Sequence, residues 1–291
     1  MNDDNQTGAD FELVGDMTSI EMMRAGLTSL PPELAAFRDL NLLDLTGNRL
    51  TGDACRLIGG FEHLTCLRLA GNRIADLPDS FRNLTNLKKL DLTDNPMTTL
   101  PDVVREMKSL EDLRLCATPI GEIPEWIGEL TNLRHLSIDG IGMRRVPDGL
   151  ASLPRLSELM ILNERLYGFP LQITRLSCLR VLGVAACSLE TLPGEIGLLR
   201  NLNRLYLAEN RLTSLPAEIG QMTNLRRLDL RGNMLTSLPE ELALLTSMEC
   251  LDVSENPISI LSYRLEEFFW RMQDKNPKQH VVRRGQGPGA P

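Results

Sequence analysis

Chemistry at a protein site needs thiols, imidazoles or carboxylates at spacings that bring them together, and this sequence offers few. Its six cysteines, Cys55, Cys66, Cys116, Cys178, Cys187 and Cys250, are scattered over 291 residues. They lack the close clustering that staples the ends of secreted repeat chains, so they are read as reduced and mostly buried. His63, His135 and His280 lie far apart, which gives a zinc site little support. No P-loop, dinucleotide glycine fingerprint, Gly-x-Ser-x-Gly elbow or metal-ligand pair occurs, and Gly59-Gly60 falls inside a turn. The Asp and Glu residues are spread over solvated positions, so no two stand out as acid and base. The expectation is a chain with no catalysis, no cofactor and no metal of its own.

Leucine, by contrast, carries a strong pattern, and its period indicates the elements. Matching segments open at Met17, Leu40, Leu64, Leu87, Leu110, Leu133, Leu156, Leu179, Leu202, Leu225 and Met248. The step is 23 residues throughout, except for 24 between Leu40 and Leu64. Inside each segment the pattern is L-x-x-L-x-L-x-x-N-x-L, as in Leu202, Leu205, Leu207, Asn210 and Leu212. The residues around its second and third leucines alternate inward and outward, which is a short strand with period two. Eleven such strands stacked in parallel about 4.8 Å apart build an inner sheet of roughly 50 Å. Pro31 and, from Pro78 to Pro239, one proline every 23 residues open a short helical turn on the other side. Strands packed closer than the outer turns force curvature, so the expected fold is an α/β horseshoe solenoid.

The second half of the unit reads L-P-x-x-I-G-x-L-T-N, as in Leu215-Pro216-Ala217-Glu218-Ile219-Gly220-Gln221-Met222-Thr223-Asn224. Over about residues 17 to 260 the chain resembles the leucine-rich-repeat superfamily. Its repeats are similar to the Ras-group intracellular type and to those of bacterial effectors. That resemblance implies a scaffold or adaptor binding a signalling or host protein. The alternative it suggests is the recognition part of a bacterial effector or ubiquitin-ligase system. Cys250-Leu251-Asp252 matches the C-x-D signature of such ligases. In them the cysteine belongs to a separate helical domain, whereas here it falls on the last strand.

The Asn of each repeat has a backbone to satisfy where the chain leaves the strand. Asn48, Asn72, Asn95, Asn210, Asn233 and Asn256 fit that role, and Thr118, Ile141, Glu164 and Cys187 replace it in the middle repeats. Thr and Cys can still donate one hydrogen bond, but Ile and an ionised Glu cannot. The ladder is therefore interrupted, either as tolerated drift or as local reshaping where a partner docks. The ends of a repeat stack need covers. Residues 1–16, with Phe11, Leu13 and Val14, form the expected N-terminal tail and cap. Residues 261–274, with Leu261, Leu265, Phe268, Phe269 and Met272 at helical spacing, form the expected capping helix. A basic tail with Lys275, Lys278, Arg283 and Arg284 follows, over 275–291.

A net charge of -8 argues against nucleic acid or an anionic membrane as partner. No apolar run is long enough to span a bilayer, and the polar start lacks a secretory pattern, so the expected location is cytoplasmic. The outward strand positions then become informative. Between the second and third leucines stand Glu21, Asp44, Arg68, Asp91, Arg114, Ser137, Met160, Gly183, Tyr206, Asp229 and Asp252. Both ends of this row are charged, and Ser137 to Tyr206 are neutral. Met160, Leu162, Val181 and Tyr206 are expected to form an apolar patch on the concave face. Arg114, His135, Arg204, Arg227 and Asp229 lie around it. An apolar centre with a polar rim is the anatomy of a protein interface.

Overall fold

The structure is a computed structural model that describes residues 18–259 and 261–275. Eleven strands, from β1 (Ser19–Glu21) to β11 (Cys250–Asp252), pair in strict chain order in one parallel sheet. Each repeat makes one turn of a coil, so each new strand lands beside the last. The register is uniform: Leu90, Leu113, Leu136, Leu159, Leu182, Leu205 and Leu228 are successive partners. All seven are buried, each worth about 1.5–3 kcal/mol of transfer free energy. The expected solenoid is the observed one.

On the convex side most repeats carry a five-residue 3-10 turn, such as Ala217–Gln221. Its proline lies one position before the first helical residue, with extended backbone (Pro216, φ -71°, ψ 147°), not inside the turn. The odd 24-residue step is absorbed by an eight-residue turn, Asp53–Gly60, which no proline opens.

The Asn ladder works as expected where it exists. Asn72 Oδ1 accepts from the Leu50 N–H at 3.0 Å, and its amide donates to the Leu45 and Leu69 carbonyls. In the middle repeats the substitutes split that work. Cys187 Sγ donates to the Ile161 and Ala185 carbonyls. Buried Glu164 takes the acceptor half, receiving the Ile141 N–H at 2.8 Å and the Met143 N–H at 2.6 Å. The expectation for Thr118 fails: its hydroxyl is buried and has no hydrogen-bond partner. Here the strands also lengthen. β5 (Asp112–Cys116), β6 (His135–Asp139), β7 (Glu158–Leu162) and β8 (Val181–Ala185) each span five residues, against three in the others. Pairing extends to Leu115↔Ile138 and Cys116↔Asp139. Backbone pairing therefore runs two residues further in these repeats. Leu162, expected just past its strand, is thereby the last residue of β7.

The C-terminal cover is α1 (Tyr263–Lys275), starting two residues later than expected. Leu265, Phe268, Phe269 and Met272 face the core, and the two Phe rings meet edge to face at 5.8 Å. Leu261 is only partly buried against that core. The expected N-terminal cap and the tail beyond Lys275 lie outside the described residues. Among the described residues no helix is long and apolar enough to cross a membrane.

Candidate protein-binding face

Alternate residues of a strand point to opposite faces, so the buried leucines leave their neighbours on the concave side. Parallel register then sets these neighbours in rows. One row runs His135, Glu158, Val181, Arg204, Arg227 across β6 to β8, β9 (Arg204–Tyr206) and β10 (Arg227–Asp229). The next runs Arg114, Ser137, Met160, Gly183, Tyr206, Asp229. Leu162 pairs with Asp139 and Ala185 in the row beyond. The ten residues singled out from sequence thus share one face of six adjoining strands.

Gly183 organises the centre of that face, a role its sequence row did not reveal. A Cβ there would stand 2.6 Å from Met160 Cε and 2.8 Å from its Sδ. Met160 therefore lies over the glycine, with half-buried Tyr206 on the far side and half-buried Val181 and Leu162 beside it. The one sequence signal was a glycine inside a strand pattern, which marks close approach of another group. At Met160 this apolar patch adjoins a polar cavity of about 550 Å³. Asp112, Arg114, His135, Ser137 and Glu158 are among its lining. Arg114 Nε lies 3.5 Å from Asp112, and Ser137 Oγ lies 3.6 Å from Cys116 Sγ.

The aspartates at the charged ends of the central row have local work. Asp44, Asp91, Asp229 and Asp252 each accept the backbone N–H two residues on, at 2.9–3.1 Å. They hold the turn that leaves the strand. For Asp44, burial acts to raise the pKa. Hydrogen bonds from Thr46 and Arg68 outweigh it, so the carboxyl lies below its ordinary value. Asp229 goes the other way: burial, aided by the charge of Asp252, pushes it up.

The buried thiols of Cys55 and Cys187 are poor nucleophiles. Burial pushes the Cys55 thiol up to about 12 and Cys187 to about 11, far from a ready thiolate. Cys250 is half-buried on β11, and the carboxylate of Asp252 is held by the Ser254 N–H and hydroxyl.

Comparison with known proteins agrees with this architecture. The human volume-regulated anion channel subunit LRRC8A is 35% identical over 82 residues, which is 27% of this chain and 10% of that protein. The rat protein is 36% identical over 80 residues, so the chain spans about a tenth of the curated relatives it matches. Among solved structures, the plant peptide hormone receptor RGFR1 in complex with RGF2 superposes with a TM-score of 0.63 at 28% identity. That match covers 82% of this chain and 44% of the receptor. An internalin from Listeria monocytogenes superposes at 0.67 with 20% identity, covering 82% and 75% of the two chains. The family described as "Leucine-rich repeat region" matches residues 16–169 and 171–263. With one strand per repeat and one inward leucine ladder behind all eleven, the chain belongs to the leucine-rich-repeat family.

Proposed function

We propose that the chain is a scaffold or adaptor that binds a partner protein on its concave face and performs no catalysis of its own. The observation that carries the reading is the apolar patch around Gly183. Met160 and Tyr206 flank it half-exposed, with Val181 and Leu162 adjoining, on a face otherwise lined by polar groups. Exposed apolar groups inside a polar rim are the groups that partner binding would desolvate. The solved receptor RGFR1, held in complex with RGF2, supports protein-ligand binding by this architecture. The six free cysteines, with Cys178 exposed, suit a reducing compartment such as the cytoplasm.

Affinity capture from lysate tests the reading, comparing wild type with Met160→Asp/Tyr206→Asp and identifying bound proteins by mass spectrometry. The expected result is a partner lost only from the variant, with its circular dichroism unchanged. The same partners on both chains would exclude the concave centre as the site. With the partner in hand, Met160→Ala and Tyr206→Ala should each weaken binding by about 1–3 kcal/mol.

A further inference from the structure

The arginines of the concave side fall into two groups. Three have carboxylates within ion-pair distance: Arg68 with Asp44 at 3.0 Å, Arg114 with Asp112 at 3.5 Å and Arg231 with Glu209 at 3.6 Å. Arg204 and Arg227 are exposed and have no such partner among the described residues. They are register partners on β9 and β10. So two adjoining strands, about 4.8 Å apart, each present one unneutralised guanidinium.

A chain with a net charge of -8 has carboxylates to spare, and its other concave arginines use them. The two unpaired ones border the apolar patch, since Val181 stands between Glu158 and Arg204 in their row. Two residues further along the strands lies an acidic rim, Asp229 and Asp252, register partners. Charge therefore changes sign along the strand direction, from arginines to aspartates, beside the Met160–Gly183–Tyr206 centre. A polyanion such as nucleic acid would be repelled by that second rim, and it has no apolar side chain for the patch. A protein segment with carboxylates at one side and an apolar side chain at the other fits both features. Guanidinium and carboxylate also match as bidentate partners.

Resting on the concave-face reading above, we propose that Arg204 and Arg227 receive the carboxylates of an acidic segment of the partner protein. An adjoining aliphatic or aromatic residue of that segment packs on the patch formed by Met160 and Tyr206. The arginines set charge preference, and the patch supplies salt-insensitive affinity.

The test pans a displayed library of random dodecapeptides on the full chain. Enriched peptides are then synthesised with a fluorescent label and measured by anisotropy at two salt concentrations. The expected enrichment is Asp or Glu next to Leu, Ile, Phe or Met. Arg204→Ala/Arg227→Ala should weaken these peptides at least about tenfold and flatten their salt dependence, with thermal melting unchanged. Replacing the peptide's Glu by Gln should do the same to wild type. Failure to enrich acidic–apolar sequences overturns the inference. So does affinity that ignores Arg204→Ala/Arg227→Ala but falls in Met160→Asp/Tyr206→Asp; that outcome leaves the concave-face reading intact. Peptide binding that survives both double variants removes the concave-face reading as well.

Discussion

At the scale of single residues, the ladder position shows how one slot accepts different chemistry if its backbone obligations are met. Asn210 meets them all: its Oδ1 accepts from Cys187 and Leu189, and its amide donates to the Val184 and Leu207 carbonyls. Glu164 meets the acceptor half alone. Glu164→Ala would leave the Ile141 and Met143 N–H groups buried and unpaired, costing about 2–4 kcal/mol in urea denaturation. The carboxyl also couples stability to pH. Burial pushes its pKa above the ordinary 4.5, against the pull of the backbone N–H groups of Ile141, Met143 and Gly142. A folded-state value above the unfolded one means more protons bound in the native state. That contribution is complete below pH 4.5 and fades as pH rises through the folded value. Stability measured across this range should show the fade in wild type and lose it in Glu164→Gln. A wild-type contribution that grew with pH would contradict the assignment.

At the scale of elements, the end cover differs from the repeats it closes. A repeat packs between two neighbours, whereas α1 must seal the last leucine layer with its own side chains. Phe268 and Phe269, buried and edge to face, share that seal with Leu265 and Met272. Phe268→Ala should cost about 3–5 kcal/mol. Because coupling runs only between neighbours, the loss should appear first as faster hydrogen exchange in β10 and β11. Exchange raised equally across all eleven strands would show a globally cooperative unit instead. The lengthened β5 to β8 lie at the middle of the sheet, and the apolar patch sits on β7, β8 and β9. The segment that departs most from the repeat consensus thus carries part of the candidate site.

At the scale of the whole molecule, regular register makes the repeats interchangeable in principle. Removing residues 202–224 takes out one full period and brings Leu225 into the position of Leu202. The shortened chain is expected to fold, with a denaturant slope about a tenth smaller because one layer of buried surface is gone. It also removes Arg204 and Tyr206, so partner binding should be lost while the circular dichroism spectrum keeps its shape. An unfolded product would show that the repeats are not equivalent layers.

The 23-residue period, the inward leucines and the prolines were sufficient for the solenoid. Each repeat's fold depends on residues within that repeat and its two neighbours, so local pattern determines global architecture. The concave face was legible only as rows of outward residues, since that too follows from period two. What those residues do to one another was not legible. Whether an arginine is paired can depend on a side chain a whole repeat away: Arg226 meets Glu249, while Arg227 meets no carboxylate among the described residues. The space that Gly183 leaves is taken by Met160 from the adjoining strand. Glu164 reads as a broken ladder until its oxygens are seen on the Ile141 and Met143 N–H groups of the preceding repeat. Periodicity determines which side a residue faces; only the packed neighbours decide which of its charges and hydrogen bonds are already spent.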